Sequence, residues 1–316
     1  MSQPSFASFT KKKKTPLRAE QFLKEMQSVV PWNGISRLIK PHYYNNKTGR
    51  PAYKLELMIK IYCLQHWYNL GDLPMEEAIY DRRSFADFLG IDLMNDRIPD
   101  ESTILHFRHL LEKKDLPKQI FQLLNSYLED RGLIMRAGTI VDATIIQAPS
   151  STKNQDKKKD PEMSSTKKNN TYYFGMKAHI GVDSKSGLVH GCEITTAKVA
   201  DKQMLADLLH GKEKAVFGDK GYESKEDKYC ARDAGVFWGI LDRKGPGKEL
   251  SSKQKKRNKK LSRIRSKVEH PFRVIKHLWG HRKTRYRRLS KNCHQFYMLF
   301  GLSNIYMSRK RILQGC

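Results

Sequence analysis

The hydrophobic pattern of this chain changes at Gly138, and this change constrains the fold more than any other feature of the sequence. Before Gly138, apolar residues recur at helical spacing, as in YKLELMIKIYCLQHWY (53–68) and ESTILHFRHLLEKK (101–114). After it come the strand-like runs GTIVDATII, FGMKAHIGVD and GLVHGCEITTA, and then strands that alternate with helices. The sequence therefore predicts an all-helical N-terminal region followed by an α/β region with a mixed sheet and flanking helices.

Start and stop signals give approximate bounds for the remaining elements. An N-cap and an N1 proline at Thr15-Pro16 predict a first helix that ends at Val30, and Pro99-Asp100 predicts the start of the helix at 101–114. The other predicted elements are a helix at 73–89, helices at 200–209 and 225–234, strands at 215–218 and 236–241, and closing helices at 268–279 and 294–312. The domain boundaries follow: a disordered basic arm at 1–15, a helical domain at 16–130 and an α/β domain at 136–312.

The segment between the first two strands, residues 147–171, is rich in Lys, Ser, Asn and Pro and has almost no apolar side chains. Such a composition cannot bury enough apolar surface to offset the entropy of ordering, so a flexible loop is predicted. The loop begins five residues after Asp142. We therefore expect its anchored end to lie near any site at that aspartate and its lysines to fold over a polyanion.

Positive charge is concentrated near the C-terminus of the chain. The 316 residues carry a net charge of +27, and the stretch 243–291 holds 20 Lys and Arg against two Glu. A concentrated basic block is typical of proteins that bind nucleic acid, and non-specific phosphate contacts are expected from it. Phe272, Trp279 and Tyr286 are interleaved with these cations, where they either stack on unpaired bases or belong to the core.

The helix at 101–114 is a candidate for reading DNA sequence. Ser102, Thr103, His106 and Arg108 fall near its start on positions expected to be accessible, as in the recognition helix of a helix-turn-helix-like unit near 102–112. Periodicity alone equally allows an all-helical packing or dimerisation domain.

Several classes are disfavoured by what the sequence lacks. It has no run of about 18 apolar residues and no apolar signal-peptide region, so a soluble, intracellular protein without a membrane partner is expected. Its five scattered cysteines include no CxxC pair, which argues against a disulfide framework or a zinc ribbon. The absence of a GxxxxGK[ST] loop argues against a nucleotide cofactor.

Three acidic residues stand where chemistry is expected. Asp142 interrupts the apolar strand TIVDATII, where its charge needs compensation, and Asp219 follows the strand AVFG, at the carboxyl end where ligand-binding residues gather. Glu269 lies in RIRSKVEHPFRVIK, whose helical wheel groups it with Arg265, Arg273 and Lys276 within roughly 80°. Capping or turn roles for the aspartates and a salt-bridged surface helix for the glutamate are the alternatives.

If these three carboxylates come together, their mutual repulsion calls for a hard divalent cation. Mg²⁺ suits such oxygen ligands, and two ions about 4 Å apart support in-line phosphoryl displacement. The sequence therefore predicts a two-Mg²⁺ site, with Mn²⁺ as a substitute, and cations on the Glu269 face that hold DNA phosphates.

The motifs together resemble an insertion-sequence transposase of the DDE class, and most closely the group that contains insertion sequence five. The resemblance runs from about 15 to 312 and rests on these strings: PW at 31–32, CLQHWYNL at 63–70, HFRHLLE at 106–112, TIVDATII, APSSTKN at 148–154, DPEM at 160–163, FGMKAHIGVDSKSGL at 174–188, GDKGY at 218–222 and KVEHPFRVIK at 267–276.

This resemblance implies a helical DNA-binding domain, an RNase H-like catalytic domain, and Asp142, Asp219 and Glu269 as catalytic, metal-binding residues. Arg265, Glu269 and Lys276 match an RxxxExxxxxxK motif of the wider superfamily, but Ser262 replaces the tyrosine that precedes it. The implied partners are double-stranded DNA, as element ends and target, and further copies of the chain in a homodimer or larger oligomer. The implied setting is the bacterial cytoplasm and nucleoid, and Lys177 in the FGMK string is a further expected DNA contact.

Two other functions stay open on sequence alone. An RNase H-like nuclease that cleaves DNA without strand transfer has the same triad, and a non-catalytic DNA-binding regulator has a damaged one, whereas here all three acids and Lys276 are intact. A tyrosine recombinase is rejected, because the adjacent residues of HRKTRY (281–286) cannot surround a phosphate from several sides.

Overall fold

A computed structural model describes residues 15–43, 51–153, 157–168, 170–245 and 247–315. The basic arm expected at 1–15 lies outside the described residues except for Thr15. Seven helices are described before residue 130, and they end where the sheet begins. They are α1 (Arg18–Val29), α2 (Trp32–Ile39), α3 (Leu55–Tyr68), α4 (Asp72–Asp81), α5 (Arg83–Leu89), α6 (Glu101–Lys113) and α7 (Leu116–Glu129).

In this helical region the predicted helices are present, and two further ones were not predicted. The first helix begins at Arg18 with Leu17 as its N-cap, and not at the predicted Thr15. The helix expected at 73–89 is divided at Arg82, whose extended backbone separates α4 from α5. At the start of α6, the carboxylate of Asp100 accepts the backbone N–H of Thr103 at 2.7 Å, which is the predicted N-cap. Sequence reasoning missed α2 and α7, both of which bury an apolar face.

The α/β region is built on one mixed sheet of six strands. Its strands are β1 (Thr139–Gln147), β2 (Ser164–Lys168), β3 (Thr171–Asp183), β4 (Val189–Thr196), β5 (Ala215–Gly218) and β6 (Phe237–Ile240). Strand β3 pairs antiparallel with β1 on one side and with β2 and β4 on the other, while β5 pairs parallel with both β1 and β6. The mixed sheet agrees with the prediction, and so does the hairpin between β3 and β4.

The Lys-rich segment at 147–171 is not a loop throughout, because residues 164–168 form a strand. Strand β2 lies within it, and Met163 is 6% exposed. The carboxylates of Asp160 and Glu162 accept the backbone N–H groups of Arg288 and Leu289, each at 2.6 Å. The segment is therefore held by backbone pairing and by charged hydrogen bonds, neither of which depends on apolar residues in the sequence.

Helices cover both faces of the sheet. Short α8 (Leu205–Leu208) packs on one face with Val141 and Ile240, and α9 (Lys225–Asp233) lies between β5 and β6 in sequence. The opposite face meets α10 (Ser252–Arg265), α11 (Glu269–Arg273) and the long C-terminal helix α12 (Leu289–Leu313). Because alternate strand residues point to opposite faces, each residue of β1 is assigned to one of these two layers.

Helix α12 joins the helical region to the sheet. Its buried Asn304 donates to the Val189 carbonyl on β4 at 2.7 Å and to the side-chain oxygen of Asn125 on α7 at 2.9 Å. One continuous hydrophobic core accordingly includes residues from α1 through α7, the sheet and α12. The two predicted domains thus share a core in the described part of the chain.

The connection between α5 and α6 is too long for a compact helix-turn-helix. Residues 90–100 separate α5 from α6, whereas that motif uses a turn of about three or four residues.

Among the described residues, none of the helices has the length and apolar character that a bilayer crossing requires.

Candidate active site

Asp142 lies in the middle of β1 and points to the face that α10 and α11 cover. Ile140, Asp142 and Thr144 share that face by strand alternation, and Ile140 belongs to the core beneath the C-terminal helices. The Asp142 side chain is 23% exposed, and its Oδ1 accepts the backbone N–H of Ala143 at 2.9 Å. A half-buried carboxylate is thus presented from a rigid central strand.

Asp219 is brought to the same edge by the pairing of β1 with β5. The parallel register places Thr139 opposite Val216 and Ile140 opposite Phe217. The same offset, carried two residues on, places Asp219 beside Asp142, and residues in register on neighbouring strands point to one face. Asp219 ends the strand and accepts the backbone N–H of Lys220 at 2.7 Å. The residue before Asp219 is a glycine because there is no room for a side chain: a Cβ at Gly218 would lie 3.0 Å from Val141 and 2.8 Å from Ile240.

The electrostatics of Asp142 reflect this pairing. Burial raises the pKa of its carboxyl above the ordinary value, and the negative charge of Asp219 raises it further, whereas Arg265 and the Ala143 N–H lower it. The Nη1 atom of Arg265 lies 3.3 Å from Oδ2 of Asp142. Two neighbouring carboxylates are therefore only partly compensated by one guanidinium.

The helical segment that carries the third acid is interrupted at two places. Residues 266–268 form a 3₁₀ turn ahead of α11, as expected with Pro271 in the first helical turn, since proline lacks an N–H. Residues 274–278 then form a π-helical turn, in which the N–H of Trp279 donates to the Val274 carbonyl at 2.9 Å. Such turns are frequent at functional sites.

Both ends of this segment contact β1. Arg265 pairs with Asp142, and the Nζ atom of Lys276, on the π turn, donates to Thr144 Oγ1 at 2.7 Å and to the Ile145 carbonyl at 2.6 Å. Val268, Ile275 and Trp279 are buried beside them, as the helical wheel predicted. Two of the four charged residues that the wheel groups together therefore contact β1.

Glu269 lies between these two anchors, four residues after Arg265, and its side chain is exposed. Arg273 is exposed as well. No group of three or more His, Cys, Asp or Glu side chains stands close enough to hold a metal ion within the described residues. The structure thus brings Asp142 and Asp219 together and leaves Glu269 on the adjacent helix without direct contact to them.

The donor atoms nevertheless suit a hard divalent cation. Carboxylate oxygens are the ligands that Mg²⁺ and Mn²⁺ prefer. Burial and, to a lesser extent, Asp219 raise the pKa of Asp142, and a bound cation would relieve the repulsion between the two carboxylates. Tyr222 packs with Val141 and α8 on the other face of the sheet, 1% exposed, and its hydroxyl has no hydrogen-bond partner among the described residues. Burial, together with Asp201, Asp142 and Asp219, raises the pKa of Tyr222.

Sequence reasoning missed Tyr222 and Asp201, although GDKGY contains the first of them. Asp201 Oδ1 accepts Nζ of Lys177 at 2.9 Å, and the same ammonium donates to the Val199 carbonyl at 2.8 Å. Lys177 pairs with Ile145 across the strands, so it lies on the face opposite to Asp142. The expectation that Lys177 contacts DNA is corrected, because its charge is bound within the protein.

Arg108 also requires correction. Its side chain is 6% exposed, and its guanidinium pairs with Asp72 at 2.9 Å and with Glu112 at 3.0 Å. The ring of Tyr286 lies 4.4 Å from the guanidinium carbon. Arg108 is therefore an internal contact between α6 and the segment that leads into α12, and not a surface group.

The other residues predicted on α6 remain available at the surface. Ser102 and His106 are exposed and Thr103 is half-buried, so α6 presents a polar strip to solvent. The aromatic residues of the basic block instead point inward: Trp279 is 5% exposed, Phe272 packs on Phe300, and Tyr286 stacks on Arg108. Of the two roles considered for these aromatic residues, the structure supports the core.

The exposed part of the basic block is α10, a helix that sequence reasoning did not delimit. Leu261 is its buried residue, and Arg257 anchors it by donating to the Ile240 and Trp238 carbonyls of β6 at 2.9 and 2.8 Å. The following side chains are exposed along it: Lys253, Lys255, Lys256, Lys259 and Lys260. They form a cationic ridge that leads to Arg265 and the carboxylate pair.

Paired carboxylates on a mixed sheet, beneath a basic helix, suit an enzyme that acts on nucleic-acid phosphodiesters. A family model described as "Transposase DDE domain" matches residues 135–305, and one described as "Transposase domain (DUF772)" matches residues 11–110. The first match alone spans more than half of the chain. The chain belongs to the transposase DDE domain family, and it is a DNA transposase, an enzyme of the polynucleotidyl-transferase type.

Two solved structures are similar in outline. A piggyBac transposase in a synaptic complex with hairpin DNA has 11% sequence identity and a TM-score of 0.44, over 97% of this chain and 77% of that one. The Mos1 strand transfer complex has 11% identity and a TM-score of 0.26, over 96% of this chain and 98% of that one.

Proposed function

We propose that this transposase belongs to an insertion sequence of the group that contains insertion sequence five, binds the terminal inverted repeats of that element, and cleaves and joins DNA strands at Asp142, Asp219 and Glu269. Residues 136–312 form its RNase H-like catalytic domain in this proposal. The antiparallel unit β4–β3–β1 followed by parallel β5 and β6 supports that architecture. Residues 16–130 are the DNA-binding domain.

The observation that carries the proposal is the register of β1 and β5, which sets Asp142 beside Asp219 on one face of the sheet. Neighbouring carboxylates on rigid strands repel each other, and a bound cation compensates that repulsion. Glu269 is the third member by its position between Arg265 and Lys276, the two residues that join its helix to β1. We propose that its side chain turns inward when the site is loaded.

Asp142, Asp219 and Glu269 would hold the divalent cation, for which we propose Mg²⁺ as two ions, with Mn²⁺ as a substitute. When bound, the metal makes a water or a 3′-hydroxyl a better nucleophile and stabilises the leaving oxygen. The protein's own residues position the DNA in this proposal: Arg265, Arg273 and Lys276, which the helical wheel groups with Glu269, hold phosphate oxygens. Released from Asp142 by the cation, Arg265 would be free to bind DNA.

Two surfaces divide the recognition of double-stranded DNA in this proposal. The exposed polar strip of α6, with Ser102, Thr103 and His106, reads the element ends, whereas the cationic ridge on α10 holds phosphates of any sequence. Joining two element ends to one target requires more than one active site, so we propose a homodimer or a larger homo-oligomer on DNA.

The proposal is tested with DNA that carries the element's own ends, incubated with the full-length protein and Mg²⁺, with nicked, double-cut and joined products separated by size. Wild type is compared with Asp142→Asn, Asp219→Asn and Glu269→Gln. Asp233→Asn is the matched control, because this aspartate is 74% exposed on α9, away from the site.

We expect cut and joined products from the wild type and the control, and none from the three variants. End binding should survive in all of them, because the substitutions remove negative charge. If the wild type cleaves DNA without joining it, the protein is a nuclease and the proposed strand transfer is wrong. Activity near the wild-type level in any one variant would remove that residue from the proposed triad.

A further inference from the structure

A cavity of about 410 Å³ opens beside Thr144 on β1, two residues from Asp142. Its walls include Thr144, Ile145, Lys168, Tyr173, Lys276 and Arg282. Thr144 follows Asp142 by two residues on the same face of β1, a separation of about 6.6 Å along a strand. The cavity therefore begins where a DNA strand would leave the carboxylates, and its volume falls within the range of pockets that hold one small ligand.

Three cations, Lys168, Lys276 and Arg282, line this cavity. Lys276 donates to Thr144 and Ile145, and Arg282 donates to the Lys276 carbonyl at 3.1 Å and lies 3.0 Å from Nδ1 of His277. No carboxylate pairs with Lys168, Lys276 or Arg282 anywhere in the described residues. Burial, followed by repulsion from Lys168 and Arg282, lowers the pKa of Lys276 to about 8. An anion of matching size would relieve that repulsion.

Lys168 is held in place by the strand pairing that the sequence did not predict. It ends β2, opposite Thr171, and its charge reaches both Asp142 and Lys276. Tyr173 lies two residues further along the hairpin and is half-buried in the cavity wall. An aromatic ring next to unpaired cations is the combination that binds single-stranded nucleic acid, since the ring stacks on a base while the cations hold the phosphate.

We propose that this cavity binds one nucleotide of the cleaved strand, next to the scissile phosphate, with Lys168 and Arg282 on its phosphate group and Tyr173 against its base. This inference rests on the proposed function, because it takes Asp142 as the place of strand cleavage. A cavity of this size takes a single unpaired nucleotide and excludes a duplex. The hairpin of β2 and β3 thereby acts as a substrate-positioning element.

The test measures binding of a fluorescein-labelled (dT)₄ oligonucleotide to the full-length protein without divalent metal, by anisotropy over a range of salt concentrations. Lys168→Gln and Arg282→Gln should each weaken binding roughly tenfold and reduce the salt slope by about one. Lys167→Gln is the matched control: Lys167 is adjacent on β2, exposed, and placed over the ring of Tyr172. It should change binding less than twofold.

The role of Tyr173 is tested with a (dT)₄ analogue that lacks bases. Tyr173→Leu should weaken binding of (dT)₄ about tenfold and leave binding of the base-free analogue unchanged. Equal affinity of the Lys168→Gln and Lys167→Gln variants for (dT)₄ would overturn the inference. An equal loss of affinity for (dT)₄ and for the base-free analogue in Tyr173→Leu would overturn it as well. Unchanged thermal unfolding of Lys168→Gln verifies that the variant is folded.

The outcomes separate this inference from the proposed function. If Asp142→Asn abolishes cleavage while Lys168→Gln behaves as Lys167→Gln does, the proposed function stands and the nucleotide cavity is refuted. If the wild type never cleaves element-end DNA but Lys168→Gln loses (dT)₄, the cavity stands as a binding site and the proposed function is refuted.

Discussion

The guanidinium of Arg265 lies 3.3 Å from the carboxylate of Asp142, across the boundary between α10 and β1. Both side chains are just over one-fifth exposed, so the pair is less screened than a surface salt bridge. Arg265 therefore occupies the position of positive charge that a divalent cation would otherwise fill. In the proposed function, Arg265 leaves Asp142 when metal and DNA bind and contacts a DNA phosphate instead.

Replacing Arg265 should separate its two effects. Arg265→Met is expected to bind Mn²⁺ several-fold more tightly in the absence of DNA, because a competing cation is removed, and to cleave DNA roughly a hundredfold more slowly, because a phosphate contact is lost. Titration calorimetry and a cleavage time course measure the two quantities. Arg263→Met, at an exposed position on the same helix, is the control. Parallel weakening of Mn²⁺ binding and cleavage would contradict this account of Arg265.

The cationic ridge of α10 should control the salt dependence of DNA binding without affecting sequence preference. Replacing Lys255, Lys256 and Lys259 by Gln is expected to flatten the slope of log K against log salt concentration by roughly one per lost phosphate contact. A salt titration with specific and random duplexes checks this, with Lys24→Gln on α1 as the control. Unchanged slopes would show that the ridge does not touch DNA.

The contacts of Asp160 and Glu162 should protect the preceding lysines from protease. Their carboxylates accept N–H groups at the start of α12, so Asp160→Asn with Glu162→Gln weakens two charge-assisted hydrogen bonds. Trypsin should then cut at Lys157 or Lys159 several-fold faster than in the wild type, as followed by mass spectrometry of early fragments. An identical cutting rate would mean that β2 pairing alone holds the segment.

Buried histidines should make the protein sensitive to acid. Burial, together with the nearby charge of Arg285, lowers the pKa of His66 to about 3 and that of His281 to about 4. Between about pH 6.5 and pH 4 the unfolded chain therefore binds protons that the folded chain does not, so stability falls as the pH falls through this window. The loss is on the order of 1–2 kcal/mol per histidine between pH 7 and pH 5.

Urea unfolding at pH 7 and pH 5 measures this loss. His281→Gln should lose less stability than the wild type between the two pH values, although it is less stable at pH 7, because Nε2 of His281 lies 2.7 Å from the His66 carbonyl. The exposed His270→Gln should lose as much as the wild type. An equal loss in His281→Gln would assign the acid sensitivity to other groups.

The elements that sequence reasoning predicted best are those whose apolar pattern is strong. Strand β5 was predicted with its observed bounds and β1 within one residue, because each is a short apolar run that ends at a polar residue. The positions of Asp142 within one strand and of Asp219 at the carboxyl end of another followed from those strands. Their proximity required the parallel pairing, which no local pattern reports.

The elements that were missed lack that pattern. Helix α10 buries little besides Leu261 and β2 is polar on both sides, so neither has a periodic apolar face to detect. The internal roles of Arg108 and Lys177 depend on Asp72 and Asp201, which lie 36 and 24 residues away in sequence. A buried ion pair of this kind cannot be told from a surface cation until the fold is known.

The most direct test of the triad is a change of metal specificity. Asp142→Cys, Asp219→Cys and Glu269→Cys replace one oxygen ligand by a thiolate, which binds Mn²⁺ better than it binds Mg²⁺. Cleavage of element-end DNA is measured for each variant with either ion, beside the wild type and Asp233→Cys. The account predicts that the three variants are inactive with Mg²⁺ and recover part of their cleavage with Mn²⁺, while the control cleaves with both. Full activity of any triad variant with Mg²⁺ would contradict the assignment of that residue as a metal ligand.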